Sequence, residues 1–187
     1  MAEKNNQIEA GSLLISEPFM NDPNFLRTVV LMCEHNQNGS LGFVLNKEVA
    51  GLKLVDVMED VGKGDFPLYL GGPVDRNLLQ FIHSLGNEIE HSIEIAKGVY
   101  WGGDFDQLKF LLREDFVRKS NIKFFLGYSG WSEGQLEDEL NQNAWMVTKS
   151  DQRGIFGDPD QLWKNTLQKM GGKYRIISNY PTDPRLN

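Results

Sequence analysis

Cysteine is nearly missing from this chain: Cys33 is alone among 187 residues. A lone thiol closes no intramolecular disulfide, and a structural zinc site built on several thiolates is excluded. Histidine is scarce too, with only His35, His83 and His91. None of the spacings HxH, HxxxH or HExxH occurs, so a metal site would have to recruit distant carboxylates such as Glu34, Asp75 or Asp22. No metal and no cofactor is expected. Long apolar runs are absent as well, since no window approaches the ~18–20 residues that cross a bilayer. The polar stretch Met1–Gly11 lacks the basic flank and apolar core of a signal peptide. A reducing cytoplasm with no membrane attachment is the expected setting.

Positive charge is in short supply, with 19 Lys and Arg against 26 Asp and Glu and a net charge of −7. Residues 1–93 carry all of that excess, and 94–187 are neutral. A field of this sign opposes polyanions, so binding to nucleic acid is disfavoured, although a protein or small-molecule partner is not. The one local exception is the stretch holding Arg113, Arg118, Lys119 and Lys123, which a DNA-binding role would have to use. Its plainer reading is the solvated end of a helix and the loop beyond it.

A chain of this length buries roughly 70% of its unfolded surface, enough for a full core. No repeat, low-complexity tract or linker divides it, so residues 1–187 read as a single domain, with 1–10 expected to be a flexible terminus. Strands are expected at 12–16, 28–35, 41–46, 66–70, 79–83, 93–101, 122–126, 144–148 and 173–178. Asn38-Gly39 between the second and third of these is a hairpin signal. A short helical turn is expected near Asp22, with Pro23 at its first helical position. Leu54, Val55, Met58 and Val61 fall at helical spacing over 52–61, ahead of Gly62 as a left-handed stop. Three more helices are expected where Asp104, Ser132 and Asp158 each precede a Gln by three residues, the last reinforced by Pro159. Strands and helices do not alternate strictly, which predicts an α+β fold with a mixed, largely antiparallel sheet and not a doubly wound parallel one.

The most suggestive segment is Lys123–Leu136, which reads as strand, glycine-rich turn and helix. Gly127, Gly130 and Gly134 miss the dinucleotide spacing, and no Lys-Ser/Thr pair follows to make a P-loop. The same turn approximates a nucleophile elbow around Ser129, but Trp131 stands where that motif needs a small residue. Ser129, with His35 or His83 as base, is therefore a weak catalytic candidate. Both histidines end apolar strands, where side chains converge on pockets. Asn46, Gly71, Gly72, Gly127, Gly130 and Trp131 are candidates for lining a ligand site, since they lie at strand ends and turns. Gly71-Gly72-Pro73 reads as a rigid turn that lets another backbone approach. Cys33, inside an apolar strand, reads as a small buried hydrophobe.

Several ordered motifs together resemble the YqgE/AlgH family of bacterial proteins of uncharacterised function. They are Gly11–Ile15 with Pro18, Asp22–Phe25 with Arg27 and Val29, and Glu34-His35 with Gly39–Asn46. They continue through Gly71–Val74, His83, Leu126–Trp131, Gly134–Glu137 with Glu139, Ala144-Trp145, Phe156 and Trp163. Ser40 departs from the Ala usual there, and Ile82 from the Leu that commonly precedes the His. The resemblance implies an α+β domain whose sheet curls toward a barrel, flanked by helices, in the cytosol. The family name reflects a link to regulation of alginate synthesis in one lineage, and the family has no assigned catalytic residues. The expected function is a non-enzymatic regulatory or binding protein of the transcriptional-regulator type. The alternative is a small-ligand binder or hydrolase-like enzyme using a pocket near His35, His83 and Ser129.

Overall fold

The computed structural model describes residues 8–182. Ten strands run in the order β1 (Ser12–Ser16), β2 (Val29–Asn36), β3 (Gly39–Val44), β4 (Glu48–Lys53), β5 (Pro67–Leu70), β6 (Val74–His83), β7 (Ile93–Ala96), β8 (Val99–Trp101), β9 (Ile122–Ser132) and β10 (Trp145–Lys149). Helices α1 (Phe105–Arg113), α2 (Gln135–Asn141), α3 (Gln152–Ile155), α4 (Pro159–Met170) and α5 (Gly172–Ile177) flank them. The main path through the sheet is β10-β1-β2-β3-β9-β6-β8-β7, with β4 and β5 off it. All its pairings are antiparallel except β5 with β9. The fold is α+β, with a curled, largely antiparallel sheet flanked by helices.

Strand β9 organises this sheet. Its first half pairs with β5 and with the end of β6, and its second half pairs with β3. Between the halves Gly127 adopts φ +70, a left-handed value that lets one strand serve two differently inclined neighbours. Alternation along β1 shows how both faces are covered: Leu13 and Ile15 join a core with α4, while Leu14 joins one with Trp131, Trp145 and α2. A further cluster seats Leu108 and Leu112 of α1 on Leu68, Phe81 and Phe124. Of the stretch expected to be flexible, residues 1–7 lie outside the described residues, whereas Ile8 is buried in the Leu14 cluster.

The structure corrects several expectations. The 52–61 helix is absent: β4 runs to Lys53 and a single 3-10 turn, Leu54–Asp56, follows. The amides of Leu54 and Val55 bond the carbonyls of Phe66 and Gly64 instead of a preceding helical turn, and Val55 and Val57 are left exposed. The stretch 173–178 is not a strand: it lies in α5, with Ser178 as the C-cap, because Gly171 and Gly172 at positive φ start a new helix that returns Tyr174 and Ile177 to the α4 core. Residues 93–101 are two strands turned at Gly98, φ +69. At Asp22 there is a single hydrogen-bonded turn and no longer helix: the Phe25 amide bonds the Asp22 carbonyl at 3.0 Å, and the Asp22 carboxylate accepts the amide of Asn24. Caps at Asp104 and Asp158 are present, each accepting from a first-turn amide. Ser132 is not a cap: it ends β9, and α2 starts after Gly134.

Candidate functional site

The glycine-rich segment is the largest correction. Gly127–Trp131 is continuous strand, so no strand-turn-helix elbow exists. Ser129 is fully buried and its hydroxyl donates to the carbonyl of Gly71 at 3.0 Å. That carbonyl also accepts the amide of Val44 at 2.9 Å. Ser129 therefore stitches the turn at Gly71-Gly72 onto β9. Because Val44 keeps the carbonyl satisfied, Ser129→Ala is expected to cost only about 1 kcal/mol in chemical denaturation. A fluorophosphonate probe should add no mass at Ser129 in the native protein.

The histidines are equally committed. His83 is fully buried, its Nδ1 accepts the amide of Leu85 at 3.2 Å, and its Nε2 lies 2.9 Å from Ser92 Oγ and 3.1 Å from the Gly102 carbonyl. The amide fixes the lone pair on Nδ1, so Nε2 carries the hydrogen and cannot take a proton from Ser92. Burial lowers the pKa of His83, only partly opposed by the bond to Gly102, which keeps it neutral. His35 sits across the hairpin from Ser40, Nδ1 to Oγ at 2.8 Å, with Glu137 at 3.7 Å from Nε2. That carboxylate is half exposed and beyond hydrogen-bond reach, so the ring is held by Ser40 and not by a buried carboxylate as in a triad. Ser129, His35 and His83 are thus engaged with separate partners. Among the described residues no three His, Cys, Asp or Glu side chains gather to hold a metal.

Asn46 is used up in bonding: its Oδ1 accepts the amide of Val29 and its Nδ2 donates to the Arg27 carbonyl, both at 2.9 Å. Gly71 and Gly72 are buried, and a Cβ on either would collide with the backbone of β9. Of the four basic candidates, Arg113 and Arg118 are exposed and Lys119 pairs with Asp65 at 2.9 Å. Lys123 belongs to no surface: it is 3% exposed, with Nζ 3.4 Å from the Leu45 carbonyl and 4.2 Å from the centre of the Tyr69 ring. Burial pushes its pKa down to about 8, against a smaller upward pull from Glu48 and Asp158. Both faces of β9 are covered over Ile122–Phe125, so a cation at this position has no solvent side to occupy. Cys33 is buried, which drives its thiol far up and leaves it unreactive.

Among the surface hollows, the one that holds sequence-predicted ligand positions is a concavity of about 420 Å³ where the β2–β3 hairpin, the start of β6 and the second half of β9 meet. Glu34, Asn36, Asn38 and Ser40 supply its polar rim and Leu41, Val74 and Tyr128 its apolar floor, with Gly130 exposed among them and Trp131, itself buried, at the edge. Two of the expected ligand positions, Gly130 and Trp131, are in it, while Asn46, Gly71, Gly72 and Gly127 are not. The hairpin side chains were missed as site residues, although Asn38-Gly39 already placed a turn there. Trp131 is anchored from behind. Its Nε1 donates to Glu139 Oε2 at 2.9 Å, the same oxygen takes Trp145 Nε1 at 2.7 Å, and Phe25 stacks on it at 6.1 Å. Glu139→Ala leaves two indole N–H groups without that acceptor and is expected to cost about 2 kcal/mol in a urea melt. Glu139→Gln, which keeps one acceptor oxygen, should recover part of it.

A family model described as AlgH-like, DUF179, matches residues 13–175. A UPF0301 protein of Cytophaga hutchinsonii is 45% identical over 179 residues, covering 95% of this chain and 98% of that one. A UPF0301 protein of Chlorobium limicola is 40% identical over the full length of both. Among solved structures, the solution structure of the AlgH protein from Pseudomonas aeruginosa is similar at TM-score 0.73 and 27% identity, covering 97% of this chain and 98% of that one. A Corynebacterium diphtheriae protein shares the fold at TM-score 0.78 with 18% identity over 93% of each chain.

Proposed function

The chain belongs to the AlgH-like family, and from that premise we propose that it is a non-enzymatic binding protein of regulatory type, acting through the concavity of the β2–β3 hairpin. One observation carries this reading: the hairpin cavity is open while Ser129, His35 and His83 each serve a separate bond. An apolar floor of Leu41, Val74 and Tyr128 ringed by exposed amides and a carboxylate is the composition of a protein-recognition patch. Tyr128 offers contact area at little entropic cost, and Glu34, Asn36 and Asn38 offer hydrogen bonds that can adapt to a partner. The partner most compatible with this surface is a protein presenting an apolar or hydrogen-bonding anchor. Nucleic acid fits poorly, because Glu34 lies at the rim and the chain is acidic overall.

The test replaces exposed Asn38 by Arg, which crowds the mouth without touching the core. Tagged wild-type protein and Asn38→Arg are purified from the native host at matched abundance, and their associated proteins are compared quantitatively. A species enriched with the wild type and lost with Asn38→Arg, at unchanged melting temperature, supports the reading. Identical sets from the two proteins reject it.

A further inference from the structure

We propose that a second cavity, between β10, α3 and α4, binds the phosphate group of a small molecule. It encloses about 280 Å³ and shares no lining residue with the hairpin concavity. Lys149 at the end of β10, Arg153 on α3 and Lys169 in the last turn of α4 all line it. Three separate elements thus deliver cations to one hollow in a chain of net charge −7. Neither Arg153 nor Lys169 has a carboxylate within salt-bridge distance among the described residues, whereas Lys149 pairs with Glu9. With three cations against the single carboxylate of Asp158, the lining is net positive, and a concave site of that sign focuses its potential and concentrates anions.

The neutral lining suits an oxyanion as well. Thr148, Ser150 and Asn165 carry hydroxyl and amide donors. Thr166, at the floor, already donates its hydroxyl to the Leu162 carbonyl at 2.7 Å. Asp158 is the one carboxylate in the lining, and it is occupied as the cap of α4, accepting the amide of Asp160 at 3.0 Å. Arg153 supplies a planar fork for two oxygens and the lysines supply point charges, the combination that recognises phosphate. The cavity is too small for a polymer backbone and of a size for a phosphate with a short organic group.

The test is a two-dimensional amide NMR titration of the whole protein with inorganic phosphate and, separately, with glycerol 3-phosphate. Saturable shifts at Ser150, Gly154 and Gly157 are expected, and Arg153→Gln/Lys169→Gln should weaken binding by about tenfold or more while melting normally. Lys63→Gln/Arg113→Gln removes the same charge elsewhere and should leave affinity within about twofold. Equal affinity for both probes identifies phosphate itself as the ligand, and tighter binding of the ester identifies a small phosphoester; both uphold the site. Shifts that never saturate, that spread over lysines across the surface, or that fall equally in the two double variants overturn it.

Discussion

Gly72→Ala is expected to lower the stability of this protein by roughly 3 kcal/mol, a fall of about 6–12 °C in Tm for a domain of this size. The backbone at Gly72 is not left-handed, so the substitution does not fail through φ. It fails through space: a Cβ there lands on the carbonyl of Tyr128 and the amide of Ser129, closer than real Cβ contacts allow. Those atoms are backbone of the central strand β9 and have no rotamer to change. The turn between β5 and β6 must then lift away, and with it the Ser129 bond to Gly71 and the Val44 bond to the same carbonyl. Gly134→Ala is the matched control. Gly134 has φ +73 and nothing within 4 Å of its would-be Cβ, so only the left-handed cost of about 1 kcal/mol applies. Thermal melts of the two variants should differ by several degrees in that order.

Lys123→Met should change how stability depends on pH. The folded-state pKa of about 8 lies below the ~10.4 of an unfolded lysine. Between these values the unfolded chain binds more protons, so wild-type stability rises as pH rises through that window. Below pH 8 the full cost of the buried charge is present, on the order of 3 kcal/mol, and it is relieved by about pH 10.5. The Met variant lacks this rise. At pH 7 it is expected to be more stable by about 1–3 kcal/mol, the gain from removing a buried cation being reduced by the lost contacts to Leu45 and Tyr69. Urea denaturation at pH 7 and 10 in both proteins measures this, and the difference between them cancels the other groups that titrate in alkali.

The legible parts of the fold were those with a local cause. Ser12–Ser16 is read from a short apolar run, the β2–β3 hairpin from Asn38-Gly39, and the starts of α1 and α4 from Asp104 and Asp158. The illegible parts were decided by distant partners. Leu52–Val61 has helical spacing, but its amides meet the carbonyls of Gly64 and Phe66 when the chain doubles back. Tyr174, Arg175, Ile176 and Ile177 look strand-like until Gly171 and Gly172 reverse the chain onto α4. Gly127–Trp131 misled for a different reason: Gly127, which mimics part of a catalytic turn, is there because the backbone of Gly72 and Val74 crosses β9 against it, while Gly130 faces only the Tyr128 ring and the Val74 side chain. The same effect limited reading of the site. Gly130 and Trp131 were identifiable as ligand-lining candidates from the glycine-rich stretch they lie in, whereas the rim from Glu34 to Ser40 becomes a rim only once the hairpin lies beside β9 and the start of β6.

These considerations separate two roles for the family's motif residues. Gly71, Gly72 and Ser129 build the crossing of strands, Asn46 ties β2 to the end of β3 and Glu139 ties two indoles together, and Tyr128, Gly130 and the hairpin present a surface. A binding function needs only the second set to face solvent. The most direct test is site-specific photo-crosslinking in living cells, with a benzophenone amino acid at position 38 on the concavity rim and, for comparison, at position 63 on a distant loop. The account predicts a discrete crosslinked adduct from position 38 and none from position 63. No adduct from position 38, or the same adducts from both, would contradict it.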